Sequence, residues 1–372
     1  MEHVQSKSMK VIVFVNTSWN IYNFRAGLIR ALQKAGYEVH ALAPEDDYSV
    51  QLTAMGCVYH PVKIKNTGSN PFLDLDLIRR IYKLFSDIKP QVILHYTVKP
   101  NIYGTLVAKW LGIPSISTVS GLGTVFLTSG KTSKIARYLY RKAFRYPKKI
   151  FFQNQSDLKT FKELKLLTKT NYDLIPGSGI DVRRFCPSQT SPKRPPFIFL
   201  MMARLIQEKG VREYIKAAGL LRSNGFSVHC QLLGAPEPDH KRGIPMQEIN
   251  LGQVEYLGET ADVRKYINNA HAVVLPSYRE GLSRSLLEAA AMAKPTIASD
   301  VPGCKEVVKD QINGFLCKPG NAVDLEEKMI KLQALSAEQL EKMGDAGRSL
   351  VMEQFTEDRV INIYLNTIKN LV

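Results

Sequence analysis

Two glutamates, Glu280 and Glu288, stand eight positions apart in the stretch Pro276-Ser-Tyr-Arg-Glu-Gly-Leu-Ser-Arg-Ser-Leu-Leu-Glu-Ala289. An apolar strand precedes them, so we expect Glu280 in a loop and Glu288 two turns into the following helix. Eight helical residues rise about 12 Å, roughly the distance between the two sugars of a nucleotide-sugar. One carboxylate can therefore hold the hydroxyls of a reacting sugar while the other holds a ribose. The alternative is an ordinary pair of solvated helix glutamates.

The start of that helix suggests a second kind of chemistry, the binding of an anion. Backbone N–H groups lack helical partners in the first turn, and the helix dipole is positive there. A diphosphate is therefore the expected ligand between the two glutamates. The residues assigned to donor binding beside Glu288 are Gly281, Leu282, Ser283 and Ser285.

Two cations, Arg204 and Lys209, follow another apolar strand, Phe197–Met202. Arginine grips phosphate oxygens bidentately and lysine adds a compact charge, so together they can stabilise a departing diphosphate without a metal ion. We therefore expect no cofactor and no metal site. The alternative is that both are simply exposed cations in a loop. However, the two cations follow one strand and the two glutamates follow another, and this placement favours a single site. Its catalytic residues would be Glu280, Arg204 and Lys209.

The elements that must position these residues alternate along the chain as strand and helix. This alternation predicts parallel sheets covered on both faces, in which ligands lie beyond the carboxyl ends of the strands. Helices are predicted over Gly210–Arg222 and Ser283–Ala293. The predicted strands are Val11–Val15, Glu38–Ala43, Val58–Ile64, Gln91–Tyr96, Ser115–Val119, Ile150–Gln153, Asp173–Ile175, Phe197–Met202, Ser227–Leu233, Val254–Leu257, Ala272–Leu275, Pro295–Ser299 and Gly314–Cys317.

A proline-rich polar stretch interrupts the alternation at residues 186–196, and it reads as an inter-domain linker. We predict an N-terminal Rossmann-like domain over residues 1–185 and a C-terminal one over residues 197–354. The fold class is α/β, with two doubly wound domains in tandem.

Composition limits the classes of function. The 372 residues include 50 Lys and Arg against 34 Asp and Glu, a formal net charge of +16 that predicts anionic partners. The five cysteines are scattered and none forms a C-x-x-C pair, so neither a disulfide framework nor a zinc site is indicated. No secretory signal is evident, and no apolar run approaches the roughly 20 residues of a membrane span. A cytoplasmic protein is expected.

Four stretches resemble the family-4 retaining glycosyltransferases of the GT-B fold, and the resemblance runs almost end to end. These stretches are Pro176–Asp181, Met202–Gly210, Leu275–Ala289 and Pro302–Glu306. The resemblance implies retention at the anomeric carbon and a nucleotide diphosphate sugar donor. It also implies that the two domains face a central cleft, with the first on the acceptor side and the second binding the nucleotide-sugar. Arg204 and Lys209 would contact the diphosphate, Glu280 the donor sugar and Glu288 the ribose. A C-terminal helix over 355–372 would pack back on the first domain.

Within that family the first half is similar to bacterial transferases that extend lipid-diphosphate-linked glycans, including N-acetylgalactosaminyl transferases. The similar stretches are Asn20–Arg25 and Ser120–Gly123. The similarity implies a UDP-sugar donor, an N-acetylhexosamine or hexose as the transferred sugar, and a lipid-linked saccharide acceptor in polysaccharide, capsule, lipopolysaccharide or glycoprotein glycan synthesis. A soluble acceptor or a GDP-sugar donor is the alternative. The acceptor-side residues are Tyr22, Arg25, His95, Lys99, Gly121 and Gly123.

His95 ends the fourth strand and Lys99 follows it, so both can line the ligand site, with a structural strand-end histidine as the alternative. The chain also departs from its family. The loop Asn16–Asn20 replaces a Gly-Gly loop, and no histidine stands near Ser120–Gly123. Asp74-Leu-Asp76 matches a D-x-D metal motif, but acids at the start of a helix favour its positive end, so no metal is assigned there.

The segment 131–149 carries eight cations and no acid, and it also carries apolar side chains. Such a basic amphipathic segment can lie on an anionic membrane, which predicts peripheral attachment at the inner face of the cytoplasmic membrane. A solvated helix is the alternative. The residues expected to contact the membrane are Lys134, Arg137, Arg141 and Arg145.

Two other classes of function fit less well. A dehydrogenase also uses Rossmann domains, but no G-x-G-x-x-G follows the first strand of either half. A nucleic-acid binder would explain the charge, but the basic residues form no recognised nucleic-acid module.

Because no carboxylate or histidine must act as the nucleophile, we expect attack on the front face, with the departing phosphate taking the acceptor proton.

Overall fold

The fold is described from a computed structural model, which covers residues 8–65, 71–122, 126, 130–168, 171–188, 196–238 and 241–372. The chain divides into two compact units. The first contains the residues up to Ser178 together with Asp358–Val372, and the second contains Gly179–Glu357.

The boundary between the units lies earlier than the linker predicted at residues 186–196. Ile180 explains the difference, because its N–H donates to the Phe355 carbonyl and its own carbonyl accepts from the Glu357 N–H, both at 2.9 Å. The chain has therefore joined the second unit by Gly179 and leaves it again at Glu357. Residues 189–195 of the predicted linker lie outside the described part of the chain.

The centre of the first unit is a parallel sheet. Its strands follow the order β3-β2-β1-β4-β5-β6-β7. Alternate side chains of the first strand enter different cores, with Val11 and Val13 on one face and Ile12 and Phe14 on the other, because successive strand residues point to opposite faces. The strands are β1 (Met9–Phe14), β2 (Tyr37–Ala43), β3 (Val58–Pro61), β4 (Val92–Tyr96), β5 (Ser115–Val119), β6 (Lys149–Phe152) and β7 (Tyr172–Leu174).

Helices connect these strands. The first helix begins where the Thr17 side chain accepts from the Asn20 N–H at 3.1 Å, and it ends before Gly36, whose φ is +88°. A short π-helical turn, Pro100–Gly104, follows β4. The helices are α1 (Ser18–Lys34), α2 (Ser49–Ala54), α3 (Pro71–Ile88), α4 (Thr105–Trp110), α5 (Lys131–Ala143) and α6 (Gln155–Glu163).

The second unit repeats the plan around a parallel sheet in the order β10-β9-β8-β11-β12-β13. Its strands are β8 (Phe197–Met202), β9 (Val228–Leu233), β10 (Glu255–Tyr256), β11 (Ala272–Leu275), β12 (Thr296–Ser299) and β13 (Gly314–Cys317). Its helices are a 3-10 turn (Gln207–Lys209), α7 (Val211–Ser223), α8 (Met246–Ile249), α9 (Arg264–Asn269), α10 (Arg284–Ala291), α11 (Ala322–Gln333) and α12 (Ala337–Gln354).

The last helix, α13 (Glu357–Lys369), packs on the sheet of the first unit. It shares one face of that sheet with α1, while α3, α4, α5 and α6 cover the other face. Tyr364 is the centre of the contact. Its hydroxyl lies 2.6 Å from the Thr118 Oγ1, and its ring packs against Tyr96 and Phe151.

The predicted α/β fold with two Rossmann-like units is confirmed, and all thirteen predicted strands are present. The prediction Val58–Ile64 runs three residues too far. Its partner β2 ends at Ala43, where Pro44 has no N–H to continue the ladder. Among the described residues, no helix combines the length and the apolar character needed to cross a bilayer.

Strand order reverses once in each sheet, between β1 and β4 in the first and between β8 and β11 in the second. On either side of such a reversal the connecting helices lie on opposite faces of the sheet, which leaves a crevice beyond the carboxyl ends of the two strands. Arg204 and Lys209 follow β8, and Glu280 follows β11. The fold therefore collects the predicted residues at the reversal point of the second sheet.

Tyr364→Ala is expected to lower the free energy of unfolding by about 3–5 kcal/mol, because it removes a buried aromatic ring and leaves a cavity. Urea denaturation followed by tryptophan fluorescence and by circular dichroism would measure the change. Met352→Ala in α12, where the side chain is half exposed, is the matched control and should cost less than about 1 kcal/mol. Equal effects from the two variants would contradict the packing role of Tyr364.

Candidate functional site

The centre of the site is an ion pair between Lys209 and Glu280. Lys209 Nζ lies 2.5 Å from Glu280 Oε1, and the two side chains are only 21% and 11% exposed. The buried Ser277 donates its hydroxyl to the same carboxylate oxygen at 2.7 Å. The other oxygen, Oε2, has no partner within the described residues. Two elements that the sequence treats separately therefore meet, and the carboxylate keeps one oxygen available to a ligand.

Lys209 and Glu280 meet because the two loops that carry them lie in close contact. The 3-10 turn that carries Lys209 ends at Gly210, whose φ is +75°. A Cβ at Gly210 would lie 2.0 Å from the Pro276 carbonyl oxygen, so only glycine allows the loop after β8 to approach the loop after β11 this closely. The Tyr278 N–H then donates to the Glu208 carbonyl at 2.9 Å, which ties the two loops together.

A third loop, the one that follows β12, supports Glu280 through backbone hydrogen bonds. The Glu280 N–H donates to the Pro302 carbonyl at 3.1 Å, and the Ser283 N–H donates to the Gly303 carbonyl at 2.9 Å. Gly303 has φ +83°, and a Cβ there would lie 2.4 Å from the Glu280 carbonyl oxygen. The Ser283 N–H is therefore already hydrogen-bonded within the protein. The prediction that it is free to bind a diphosphate is wrong.

The position of Glu288 also differs from the prediction. Ser283 is the N-cap of α10, with its hydroxyl accepting from the Leu286 N–H at 3.4 Å and lying 3.3 Å from the Ser285 hydroxyl. The helix therefore begins at Arg284, and Glu288 is about one turn into it instead of two. Because Glu280 lies before the helix, the helical rise of about 12 Å does not describe the separation of the two glutamates.

Glu288 is held by Arg284, one helical turn earlier, with Nε 3.0 Å from Oε1. Burial raises the pKa of the Glu288 carboxyl, and the Arg284 charge opposes that increase. Sequence analysis missed Arg284, Ser277 and Gly303 as contributors to the site. All three stand inside stretches that resemble the family, so their neighbours pointed to the region but not to their contacts.

Arg204 points elsewhere. Its side chain is mostly exposed, and its Nη1 lies 3.4 Å from Glu237 Oε1 in the loop after β9. The structure therefore brings Lys209 and Glu280 together. Arg204 lies outside this contact and forms only a long ion pair with Glu237. Glu237 carries no sequence signal that would have identified it as this partner.

The residues expected on the acceptor side fall into different environments. His95 is fully buried against Phe14 and Phe85, and neither ring nitrogen has a hydrogen-bond partner in the described residues. Burial lowers the pKa of the His95 imidazole to about 3, so the ring is neutral at physiological pH. His95 is therefore the structural strand-end histidine that was given as the alternative to a ligand-lining residue. A side chain without solvent exposure cannot contact an acceptor.

Arg25 is likewise buried, with its guanidinium carbon 4.1 Å from the centroid of the Tyr96 ring. It packs the first helix onto the sheet, and its burial does not fit the predicted role as an acceptor contact. Tyr22 is half-buried beside Tyr48, and Gly121 has φ +127° at the end of β5. Gly123 lies outside the described residues.

Lys99 forms an ion pair with Asp74, with Nζ 2.6 Å from Oδ1, and Tyr103 donates to Asp74 Oδ2 at 2.9 Å. Asp74 is buried in the first turn of α3, whereas Asp76 is exposed and pairs with Arg80. The two acids of the D-x-D match thus serve different contacts. Within the described ranges, no cluster of three or more His, Cys, Asp or Glu residues has the arrangement of a metal site.

The basic segment forms α5, which ends at Ala143, and the chain beyond it turns toward β6. Lys134, Arg141 and Arg145 are exposed, but Arg137 is half-buried and its Nη2 reaches the Phe126 carbonyl at 3.5 Å. Ile135 and Tyr138 are exposed between the cations, with about half of each side chain accessible. The exposed surface of α5 is therefore both cationic and apolar.

Comparison with known proteins assigns both halves of the chain to sugar-transferring families. Residues 183–350 match the family described as "Glycosyl transferases group 1", and residues 10–154 match "Glycosyl transferase 4-like". The chain is 29% identical over 98% of its length to N,N'-diacetylbacillosaminyl-diphospho-undecaprenol alpha-1,3-N-acetylgalactosaminyltransferase of Campylobacter jejuni, all of which is covered.

Two further comparisons extend this result. N-acetyl-alpha-D-glucosaminyl L-malate synthase of Bacillus anthracis is 31% identical, with 90% of each chain covered. The crystal structure of Anabaena HepE in complex with UDP-glucose superposes with a TM-score of 0.79 at 17% identity, covering 97% of this chain and all of that one, and this likeness supports the fold. The expected GT-B fold class is confirmed, and the chain belongs to the group 1 glycosyl transferases.

Proposed function

We propose that this glycosyltransferase moves an N-acetylhexosamine or a hexose from a UDP-sugar to a saccharide carried on a lipid diphosphate, with retention at the anomeric carbon. The product would enter surface polysaccharide or glycoprotein glycan synthesis. The Lys209–Glu280 pair carries the proposal, because it sets a phosphate-binding cation beside a hydroxyl-binding carboxylate at the reversal point of the second sheet.

The identity of the substrates is inferred from the relatives. The Campylobacter jejuni enzyme is named for a diphospho-undecaprenol acceptor and for the transfer of N-acetylgalactosamine, and its likeness to this chain covers both domains. The Anabaena structure holds UDP-glucose. The Bacillus anthracis enzyme is named for L-malate, a small soluble acceptor, and this favours one second candidate, a transferase with a soluble acceptor.

In the proposed donor complex, Lys209 and Arg204 bind the diphosphate and stabilise the charge that develops on it. Arg204 is free to take part because its guanidinium is mostly exposed and its contact with Glu237 is long. Glu280 Oε2 accepts from hydroxyls of the donor sugar, and Glu288 accepts from the ribose. The segment Gly281–Ser285 lies between the two glutamates and lines the nucleotide.

The proposed reaction forms one bond and breaks one at the anomeric carbon. The acceptor hydroxyl oxygen attacks on the face from which the diphosphate leaves, and an oxygen of the departing diphosphate takes the hydroxyl proton. No step uses a protein nucleophile. The protein contributes positioning and a fixed electrostatic environment, and the paired cations supply the positive charge that a metal ion would otherwise provide.

The acceptor is proposed to reach the first domain at a membrane surface. Helix α5 exposes Lys134, Arg141 and Lys142 to solvent, and the turn after it exposes Arg145, with Ile135 and Tyr138 exposed among these cations. A cation near an anionic leaflet contributes about 1 kcal/mol, so four such residues suffice for measurable association. Tyr22, Lys99 and Gly121 stay candidates for acceptor contacts, since each follows a strand of the first sheet.

Purified protein incubated with UDP-, GDP- and ADP-sugars should transfer sugar from a UDP-sugar to a lipid-diphosphate-linked N-acetylhexosamine, and L-malate should be a poor acceptor. Transfer should persist in EDTA. Proton NMR of the product should give the anomeric configuration of the donor. Preference for L-malate would support the soluble-acceptor candidate, and an inverted product would contradict the proposed stereochemistry.

Lys209→Ala and Arg204→Ala should each lower kcat by on the order of a hundredfold or more, because each removes positive charge from the departing diphosphate. Arg212→Ala is the matched control. It removes an exposed bidentate pair with Glu248 in the same domain and should leave kcat within about twofold. Wild-type turnover in well-folded Lys209→Ala and Arg204→Ala proteins would remove both residues from the diphosphate site.

Replacing Lys134, Arg141, Lys142 and Arg145 together with glutamine should release the protein from anionic liposomes at low salt while sparing donor binding. High salt should release the wild type too, because the screening length falls to about 3 Å at 1 M. Co-sedimentation with vesicles containing phosphatidylserine measures the release of the variant at low salt and the release of the wild type at high salt.

The control for this variant removes the same charge from the second domain, where Lys309, Lys318, Lys331 and Lys342 are exposed. Their replacement with glutamine should leave sedimentation unchanged. A wild-type protein that stays in the supernatant at low salt, or equal losses in both variants, would exclude docking through α5.

A further inference from the structure

The ion pair between Arg284 and Glu288 combines burial with a short contact of 3.0 Å, whereas the equally buried pair Lys328–Asp324 in α11 is 3.9 Å apart. Ion pairs one helical turn apart are usually solvated and contribute little, as expected for Arg80–Asp76 in α3, where both side chains are half exposed. Arg284 and Glu288 are only 20% and 14% exposed. A carboxylate taken out of water to this extent needs a cation in contact to stay ionised.

Arg284 is itself fixed at a second point. Its Nη1 donates to the Gly179 carbonyl at 3.3 Å while its Nε approaches Glu288 Oε1 at 3.0 Å. The guanidinium therefore cannot swing away without losing a backbone contact. Glu288 Oε2, in contrast, has no protein partner within the described residues, so one oxygen is held and the other can accept from a ligand.

The other charges that face Glu288 do not replace Arg284. Arg184 favours the ionised carboxylate more weakly, and Asp262 opposes it. Arg264 forms a two-point ion pair with Asp262, at 2.5 and 2.8 Å, and so moderates that repulsion without reaching Glu288. Because burial by itself raises the pKa of the Glu288 carboxyl, the guanidinium of Arg284 is the main group that opposes its protonation.

We propose that Arg284 is a positioning residue that keeps Glu288 an ionised acceptor for the two ribose hydroxyls of the donor nucleotide. The proposal rests on the proposed function, in which Glu288 binds that ribose. A neutral carboxyl donates from its protonated oxygen and accepts more weakly than a carboxylate, so its hydrogen bonds from the ribose hydroxyls are weaker. Loss of Arg284 should therefore convert a pH-independent ribose contact into one that is lost as pH falls.

The ribose contact can be isolated by comparing the affinities of UDP and 2′-deoxy-UDP in calorimetric titrations. The two ligands share a diphosphate that itself titrates near neutral pH, so their affinity ratio cancels that ionisation. In the wild type the ratio should favour UDP by about tenfold or more, the effect expected for a charged hydrogen bond, and should change little between about pH 6 and pH 9. Glu288→Ala should abolish the preference at every pH.

Arg284→Met keeps the length of the side chain and removes its charge. Its preference for UDP should be close to that of the wild type at about pH 9 and should fall by about tenfold toward pH 6, as Glu288 becomes protonated. Arg284→Gln should behave in the same way if the Met variant does not fold, and Arg284→Lys should restore the flat profile. Arg80→Met, which removes an exposed pair of the same spacing, is the control and should keep the wild-type profile.

The outcomes separate the two proposals. If neither the wild type nor Glu288→Ala prefers UDP over its deoxy analogue, the ribose role of Glu288 fails. If Glu288→Ala loses the preference but Arg284→Met keeps it at all pH values, the role of Arg284 fails alone. Loss of the preference in Arg284→Met at every pH, including pH 9, would mean that Arg284 acts only through packing, and this too would overturn the inference.

Discussion

The parallel pairing of β8 with β11 is the constraint on which the candidate site depends. These strands are distant in the sequence, but Val273 lies opposite Leu200 in the ladder, so their carboxyl ends emerge side by side. The strand order reverses at this pair, and the connecting helices separate to opposite faces. Lys209 and Glu280 meet for that reason, and the glycine at position 210 is needed because no Cβ fits between the two loops.

The site satisfies its charges internally before it meets any ligand. Glu280 is paired with Lys209, and Glu288 is paired with Arg284, and in both cases one carboxylate oxygen is held while the other lacks a partner in the described residues. Removing charges from water is costly unless they are paired, so these contacts offset part of that cost within a mostly buried environment.

Sequence reasoning predicted the sheets well, because buried parallel strands are short apolar runs separated by polar turns. Its errors have physical causes. The start of α10 was predicted within one residue, at Ser283 instead of Arg284, but Glu288 was placed a turn too far along because the helical rise was counted from Glu280, which lies in the loop before the Ser283 cap. His95 lies near the end of β4 and Arg25 lies within α1, but whether such polar residues face a ligand or the core depends on the packing of neighbouring elements, which periodicity does not resolve. Arg284 was missed because its importance comes from the burial of its partner.

The return of α13 to the first domain makes that domain discontinuous in the chain. The Tyr364 ring covers Tyr96 and Phe151, yet the intervening second domain must be synthesised before this helix leaves the ribosome. Until then, one apolar face of the first sheet is only partly covered by α1. The nascent first domain therefore has an exposed surface that invites association with other chains or with chaperones until α13 has been synthesised.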